Sequence, residues 1–167
     1  VSDNRSIEGF LGRFNYDFDE KYFISLSARR DGTSRFAEDV RWGNFYSVGA
    51  AWRISQEKFM DNLSWVSNLK LRSSYGQTGN EDIPNLYAWQ TLYDLGWNNA
   101  GEAGILQSRA LGNPNLKWES NASFDVGLEF GIFKNRVAGV VEYFNRESSN
   151  LLFSVPLPVS TGLSSQW

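Results

Sequence analysis

Apolar and polar residues alternate along six stretches of the chain, and the connections between stretches run short, long, short, long. Successive strand side chains point to opposite faces, so period-two alternation predicts strands with one apolar face. In the first stretch Phe10, Phe14, Tyr16 and Phe18 share a face, and Arg13, Asn15 and Asp17 share the other. In the second, Tyr22, Ile24, Leu26 and Ala28 oppose Ser25, Ser27, Arg29 and Asp31. In the third, Tyr46, Val48, Ala50, Trp52 and Ile54 oppose Ser47, Gly49, Ala51 and Arg53. The fourth sets Leu69, Leu71 and Tyr75 against Lys70, Arg72 and Ser74. The fifth sets Trp118, Ala122, Phe124, Val126, Leu128 and Phe130 against Lys117, Glu119, Asn121, Ser123, Asp125 and Glu129. The sixth is the least regular, with Val140 and Phe144 opposite Val137, Val141 and Tyr143.

Tight turns are predicted at Asp19-Glu20 and at Lys134-Asn135, and a helical turn capped by Ser55 over Ser55–Met60. The opposite ends carry long connections, the largest from about Gln77 to Leu116. Along the apolar faces Tyr16, Phe18, Tyr22, Trp52 and Phe130 lie toward the tight turns, and Tyr46, Tyr75, Trp118 and Tyr143 toward the long loops. Aliphatic residues fill the middle. Two aromatic bands around an aliphatic belt match the demands of a bilayer on a barrel. The expected fold is therefore an all-β, antiparallel, up-and-down transmembrane β-barrel. About six strands cannot close such a barrel, which needs at least eight, and an open edge in hydrocarbon costs several kcal/mol per unpaired group. Residues 1–167 are thus expected to be a partial barrel, a segment of a larger one. The alternative is a soluble β-sandwich carbohydrate-binding module, whose aromatics would line a core between two sheets.

Composition narrows the chemistry. The chain has no cysteine and no histidine, which removes a thiol nucleophile, the commonest general base and the commonest metal ligand. Neither a metal site nor a cofactor is expected. A net charge of −3 offers no basic footprint for nucleic acid. Glu81 and Asp82 are sequence neighbours that an extended backbone points apart, and Glu119 and Glu129 lie too far apart on one strand, so neither pair suits glycoside hydrolysis. No enzyme is expected.

Several segments together resemble the barrel of SusC/RagA-type TonB-dependent outer-membrane transporters of the Bacteroidetes. They are Arg30-Asp31-Gly32-Thr33-Ser34-Arg35-Phe36, Trp42-Gly43-Asn44-Phe45-Tyr46-Ser47-Val48-Gly49 and Trp52-Arg53-Ile54-Ser55-Gln56-Glu57-Lys58-Phe59. Leu69-Lys70-Leu71-Arg72-Ser73-Ser74-Tyr75-Gly76-Gln77-Thr78-Gly79-Asn80, Asn113-Pro114-Asn115-Leu116-Lys117-Trp118-Glu119 and Pro156-Leu157-Pro158-Val159-Ser160-Thr161-Gly162 continue in the family's order. The resemblance implies a bacterial outer-membrane location and a complete barrel of about 22 strands filled by a plug domain. It also implies a SusD-like surface lipoprotein acting as a lid, and import of oligosaccharides or peptides coupled to TonB. The plug and the remaining strands are expected to lie outside this segment.

Within that frame Asp31, Arg35, Asn80, Glu81, Tyr87, Trp89 and Trp97 are the candidate contacts for cargo or lid. Tyr and Trp rings stack on sugar faces or partner side chains, while Asn, Asp and Glu hydrogen-bond hydroxyls. The competing reading makes Asp31 and Arg35 an ion pair inside one turn, and has the rings pack the loop onto itself.

Overall fold

The computed structural model describes residues 4–107 and 110–166. In chain order its strands are β1 (Ile7–Phe18), β2 (Tyr22–Thr33), β3 (Trp42–Arg53), β4 (Val66–Asn80), β5 (Tyr93–Asn99) and β6 (Glu102–Gln107). They continue with β7 (Ala110–Leu111), β8 (Glu119–Ile132), β9 (Val137–Ser149), β10 (Val155–Pro156) and β11 (Ser165–Gln166). The six predicted stretches form one antiparallel sheet in the order β1-β2-β3-β4-β8-β9. Neighbours in sequence are neighbours in space once β5, β6 and β7 are set aside as parts of the long connection.

Apart from one irregularity between Val66 and Asn68, where β4 meets the end of β8, the register is regular and sorts the two faces into rows. Phe14, Leu26, Val48, Tyr75 and Phe124 lie side by side on β1, β2, β3, β4 and β8. The next apolar row is Tyr16, Ile24, Ala50, Ser73, Val126 and Tyr143, and the one beyond is Phe18, Tyr22, Trp52, Leu71, Leu128 and Val141. On the opposite face, Arg13, Ser27, Ser47, Gly76, Ser123 and Arg146 run on the long-loop side of the Phe14 row, and Asn15, Ser25, Gly49, Ser74, Asp125 and Phe144 run between the Phe14 and Tyr16 rows. The polar rows bond among themselves. Ser27 Oγ lies 2.7 Å from Ser47 Oγ, Ser74 Oγ donates to Asp125 at 2.5 Å, and Arg72 pairs with both Glu129 and Glu142 at 3.2 Å.

The tight-turn end matches its prediction, with Lys21 N donating to Phe18 O and Arg136 N to Phe133 O. Asp19, Glu20, Phe133, Lys134 and Asn135 all take positive φ there, the backbone hand that keeps the twisted strands of a tight hairpin paired. The rings of Phe18, Tyr22 and Trp52 follow one another at 6.3–6.4 Å between centroids, a continuous aromatic band. The predicted helical turn appears as two 3-10 turns, Ile54–Gln56 and Lys58–Met60, with no side-chain cap from Ser55 or any neighbour. Phe59 on the second of these turns is exposed.

Among the described residues no second sheet covers the apolar rows. Phe14, Leu26, Val48 and Tyr143 are 55%, 44%, 42% and 66% exposed. The buried hydrophobic residues are Phe36, Phe45, Ile83, Ala88 and Leu116, all toward the long-loop end. That distribution removes the β-sandwich alternative among the described residues, because a sandwich buries its alternating strand residues between sheets. No helix among them is long and apolar enough to cross a membrane, which says nothing of strands. At 12 residues or more, each strand of the main sheet exceeds the ~9–11 that a tilted crossing requires.

Candidate functional site

The long-loop end is a folded layer. Phe36 from the β2–β3 loop packs with Ile83, Ala88 and Leu116 from the β4–β8 connection, and Trp118 and Leu152 close over them. Asn113 N donates to Ala88 O at 3.0 Å, tying the return limb of the long connection to its outgoing limb. Asn113-Pro114-Asn115 forms a turn into β8, with Asn115 N donating to Asn113 Oδ1 at 3.0 Å.

Two expectations for this region are corrected. The long connection, expected from about Gln77 to Leu116, starts later, because β4 continues through Asn80, and it holds the hairpin of β5 and β6. Trp118 does not belong to the outer aromatic band. It precedes β8, donates its indole N–H to Arg41 O at 2.8 Å, and sets its ring edge-on to Phe36 and Phe45 at 5.7 and 5.5 Å. Phe45 stands at a polar-face position of β3 and fills the gap where β3 and β4 part company. A Cβ at Gly79 would collide with its ring, so glycine is what lets the ring close down on β4.

The candidate residues divide into groups. Asp31, Arg35 and Glu81 are buried, with 6%, 9% and 8% of their surface exposed. Asp31 and Arg35 do not pair with each other. Asp31 takes Arg29, two residues back on the same face, at 2.6 Å, while Arg35 reaches across to Asp82 at 3.2 Å and to Glu81 O at 3.0 Å. An extended strand puts Arg29 and Asp31 on one side, which explains the local partner. Glu81 pairs through Oε1 with Arg5, in the segment before β1. Asn80 accepts from Asp82 N through its side chain at 3.0 Å. Tyr87 and Trp89 sit half-buried beside the loop core, and Trp97 stands half-exposed on the hairpin, away from the other candidates.

Asp31 and Glu81 share an open cavity of about 450 Å³, also lined by Leu11, Arg13, Thr78 and Trp118. Arg5, Arg13, Phe45 and Thr78 were not among the predicted contacts. For Phe45 a signal exists, since it is an aromatic at a position whose strand neighbours on that face, Gly43 and Ser47, are small. Arg5 carries none, because its partner is 76 residues away.

The hairpin is the most exposed apolar feature outside the sheet. Its turn, Ala100-Gly101, has φ of 55° and 96°, and Gly96 at φ 87° forms a bulge that shifts the register between Leu95 and Trp97. Tyr93, Leu95 and Ile105 are 59%, 80% and 68% exposed. At the opposite end Glu57 accepts from Tyr22 Oη at 2.6 Å and Trp52 Nε1 at 3.1 Å. Those two donors hold the Glu57 carboxyl below its ordinary range.

An antiparallel sheet of long strands with a bare apolar outer face, hydrogen-bonded polar rows inside, tight turns at one end and folded loops at the other is a wall of a transmembrane β-barrel. Residues 2–166 match the family described as TonB dependent receptor-like, beta-barrel. The chain belongs to that family. It is 38% identical over 162 residues to the TonB-dependent receptor P26 of Formosa agariphila, covering 96% of this chain and 16% of that protein. It is 35% identical over 166 residues to the TonB-dependent receptor SusC of Bacteroides thetaiotaomicron, covering 96% of this chain and 17% of that protein. A solved structure of the RagAB peptide importer in its closed-closed state superposes with a TM-score of 0.85 at 37% identity, over 96% of this chain and 17% of that chain. The chain thus spans about a sixth of the length of these relatives.

Proposed function

We propose that the chain is a stretch of barrel wall, with its extracellular loops, from a TonB-dependent importer of the bacterial outer membrane. The observation that carries this is the uncovered apolar face: in the row Phe14-Leu26-Val48-Tyr75-Phe124, Phe14, Leu26, Val48 and Phe124 are 39–55% exposed. Lipid is the solvent that makes such a face stable at ~25 cal/mol per Å². The polar rows then face a lumen, the tight turns face the periplasm, and the loop layer faces the outside. Arg13, Arg29, Arg53, Lys70, Arg72, Asp125, Glu129 and Glu142 all stand on the lumen side in this assignment.

The similarity to SusC and to the RagAB peptide importer supports cargo of oligosaccharide or peptide class and a SusD-like lipoprotein as lid. The plug and the TonB-coupling segment belong to the rest of the protein in this reading. The hairpin of β5 and β6 suits the lid, because its bare Leu95, Ile105 and Tyr93 gain most from burial against another protein. Deleting the gene for the full-length protein from its host should abolish growth on one class of oligomeric nutrient, and deleting TonB should reproduce the loss. Retained growth on every such nutrient would count against import. Replacing 92–107 by a short Gly-Ser linker should leave the barrel folded while the lid lipoprotein no longer co-purifies.

A further inference from the structure

Strand parity puts almost no charge on the apolar face. Among the described strand residues of the main sheet, the charged ones on that face are Glu8, Arg30 and Glu147, all toward the long-loop end, and Arg30 is the one cation. Arg30 lies between Phe10 on β1 and Asn44 on β3. Both flanking strands belong to the chain, so its surroundings on the sheet are complete. The side chain is also held. Trp42, one row nearer the loops, lies over Gly32, where a Cβ would come within 2.9 Å of its ring. Phe10 stacks with that ring at 6.3 Å, and the Arg30 guanidinium sits over it, 5.0 Å from the centroid. Arg30 and Asn44 are exposed. Among the described residues no carboxylate forms an ion pair with Arg30, Glu8 in the Trp42 row included.

A ring beneath a guanidinium orients the cation without neutralising it. A cation on a lipid-facing wall is costly unless its head reaches the interface. Tyr22 in the tight-turn band and Arg30 are eight residues apart on β2. At ~3.4 Å per residue and a tilt of ~40°, that separation is ~21 Å of depth, close to the far edge of a ~25 Å apolar band. Trp42 draws the guanidinium further toward the loops, to the level of the lipid headgroups. The anion of a headgroup is phosphate, and the planar guanidinium fork takes two phosphate oxygens at once. The Asn44 side-chain amide beside it supplies another donor. We propose that Arg30, with Asn44 at its side and Trp42 beneath it, binds the phosphate of an anionic lipid in the outer leaflet. The inference rests on the importer reading given above, which assigns this face to the bilayer.

The test uses the full-length protein in detergent, with monophosphorylated lipid A as the anionic probe. Phosphatidylcholine is the zwitterionic comparison, and inorganic phosphate is the free anion. Native mass spectrometry across a lipid titration reads how much lipid stays bound. The parent should hold lipid A in preference to phosphatidylcholine, and excess inorganic phosphate should not displace it. Arg30→Gln should raise the apparent Kd for lipid A by about tenfold, as expected when hydrogen bonds between charged groups are lost. Arg30→Lys, which keeps the charge and loses the fork, should fall between the two. Arg136→Gln removes the same charge from an exposed position in the tight turn before β9, and it should bind lipid A as the parent does. Equal binding by the parent and Arg30→Gln, an equal loss for Arg136→Gln, or displacement by inorganic phosphate would each overturn the site. Heat-modifiable gel mobility reads barrel folding separately. A parent that forms no barrel refutes the importer reading and the site with it, whereas a folded barrel without a preference for lipid A refutes the site alone.

Discussion

Leu26 and Ser25 are adjacent in β2, yet the row assignments put one against lipid and the other in the lumen. Leu26 lies between Phe14 and Val48 on the bare face, and Ser25 lies between Asn15 and Gly49 on the polar face. Leu26 is four residues from Tyr22, whose ring belongs to the aromatic band at the tight-turn end. Four residues at ~3.4 Å each make ~14 Å along the strand. A tilt of ~40° converts this to ~10 Å of depth, close to the middle of a ~25 Å apolar band. Arginine at such a depth costs ~2–4 kcal/mol, and ~3 kcal/mol lowers the folded-to-unfolded ratio by about a hundredfold.

At Ser25 the neighbour is Gly49, where a Cβ would approach Ser25 Oγ to 2.7 Å, so the missing side chain leaves room beside it. An arginine there extends into the lumen and should cost within about 0.5 kcal/mol of zero, as at other solvated positions. The two variants, Leu26→Arg and Ser25→Arg, are made in the full-length protein. Refolding is followed by heat-modifiable gel mobility along a urea titration in lipid vesicles. The expected result is a marked loss for Leu26→Arg and a midpoint near that of the parent for Ser25→Arg. Equal losses, or a larger one for Ser25→Arg, would refute the assignment of faces and the importer reading with it.

Gly79→Leu should loosen the loop layer by about 1–3 kcal/mol, because the side chain displaces the Phe45 ring; faster protease cleavage within 81–118, with barrel mobility unchanged, is the readout. Gly12→Ala, where nothing lies within 4 Å of the added carbon, should leave both readouts unchanged. Arg35→Met removes the bonds to Asp82 and to Glu81 O and should cost about 1.5–3 kcal/mol in the same cleavage assay. Glu57, held low by its bonds from Tyr22 and Trp52, contributes stability that is present above the ordinary carboxyl range and lost as pH falls through the lowered value. Protease nicking between 54 and 65 should therefore rise on acidification in the parent, while Glu57→Gln should show a flat profile.

The sheet was legible because the face of each strand residue is decided locally. One-residue alternation sets parity, and tight turns at Asp19-Glu20 and Lys134-Asn135 lock the register so that parity propagates from strand to strand. The loop layer was less legible because its partners are set by tertiary folding. Asp31 and Arg35 read as a pair inside one turn, but Arg35 lies opposite the start of the next connection and finds Asp82 there. The hairpin had a turn signal at Ala100-Gly101, yet the bulge at Gly96 switches parity midway. Counting by twos puts Tyr93, Leu95 and Trp97 on one face of β5, but the bulge turns Trp97 to the other.

Aromatic residues make the limit sharpest, since the chain uses the same ring energetics in two places that hydropathy cannot distinguish. Phe18, Tyr22 and Trp52 stack along the outer face, which the importer reading gives to the bilayer, while Phe36, Phe45 and Trp118 pack edge-on inside the loop layer, where the chain buries itself. What separates the two sets is the space around them. Phe45 sits on the small-residue face of β3 with glycines at 43 and 79 cleared for its ring, and Trp118 spends its N–H on the backbone of Arg41 instead of an interface. An aromatic at a polar-face position, opposite a glycine that no turn requires, therefore marks a ring that closes the loop end of the barrel rather than one that anchors it in lipid.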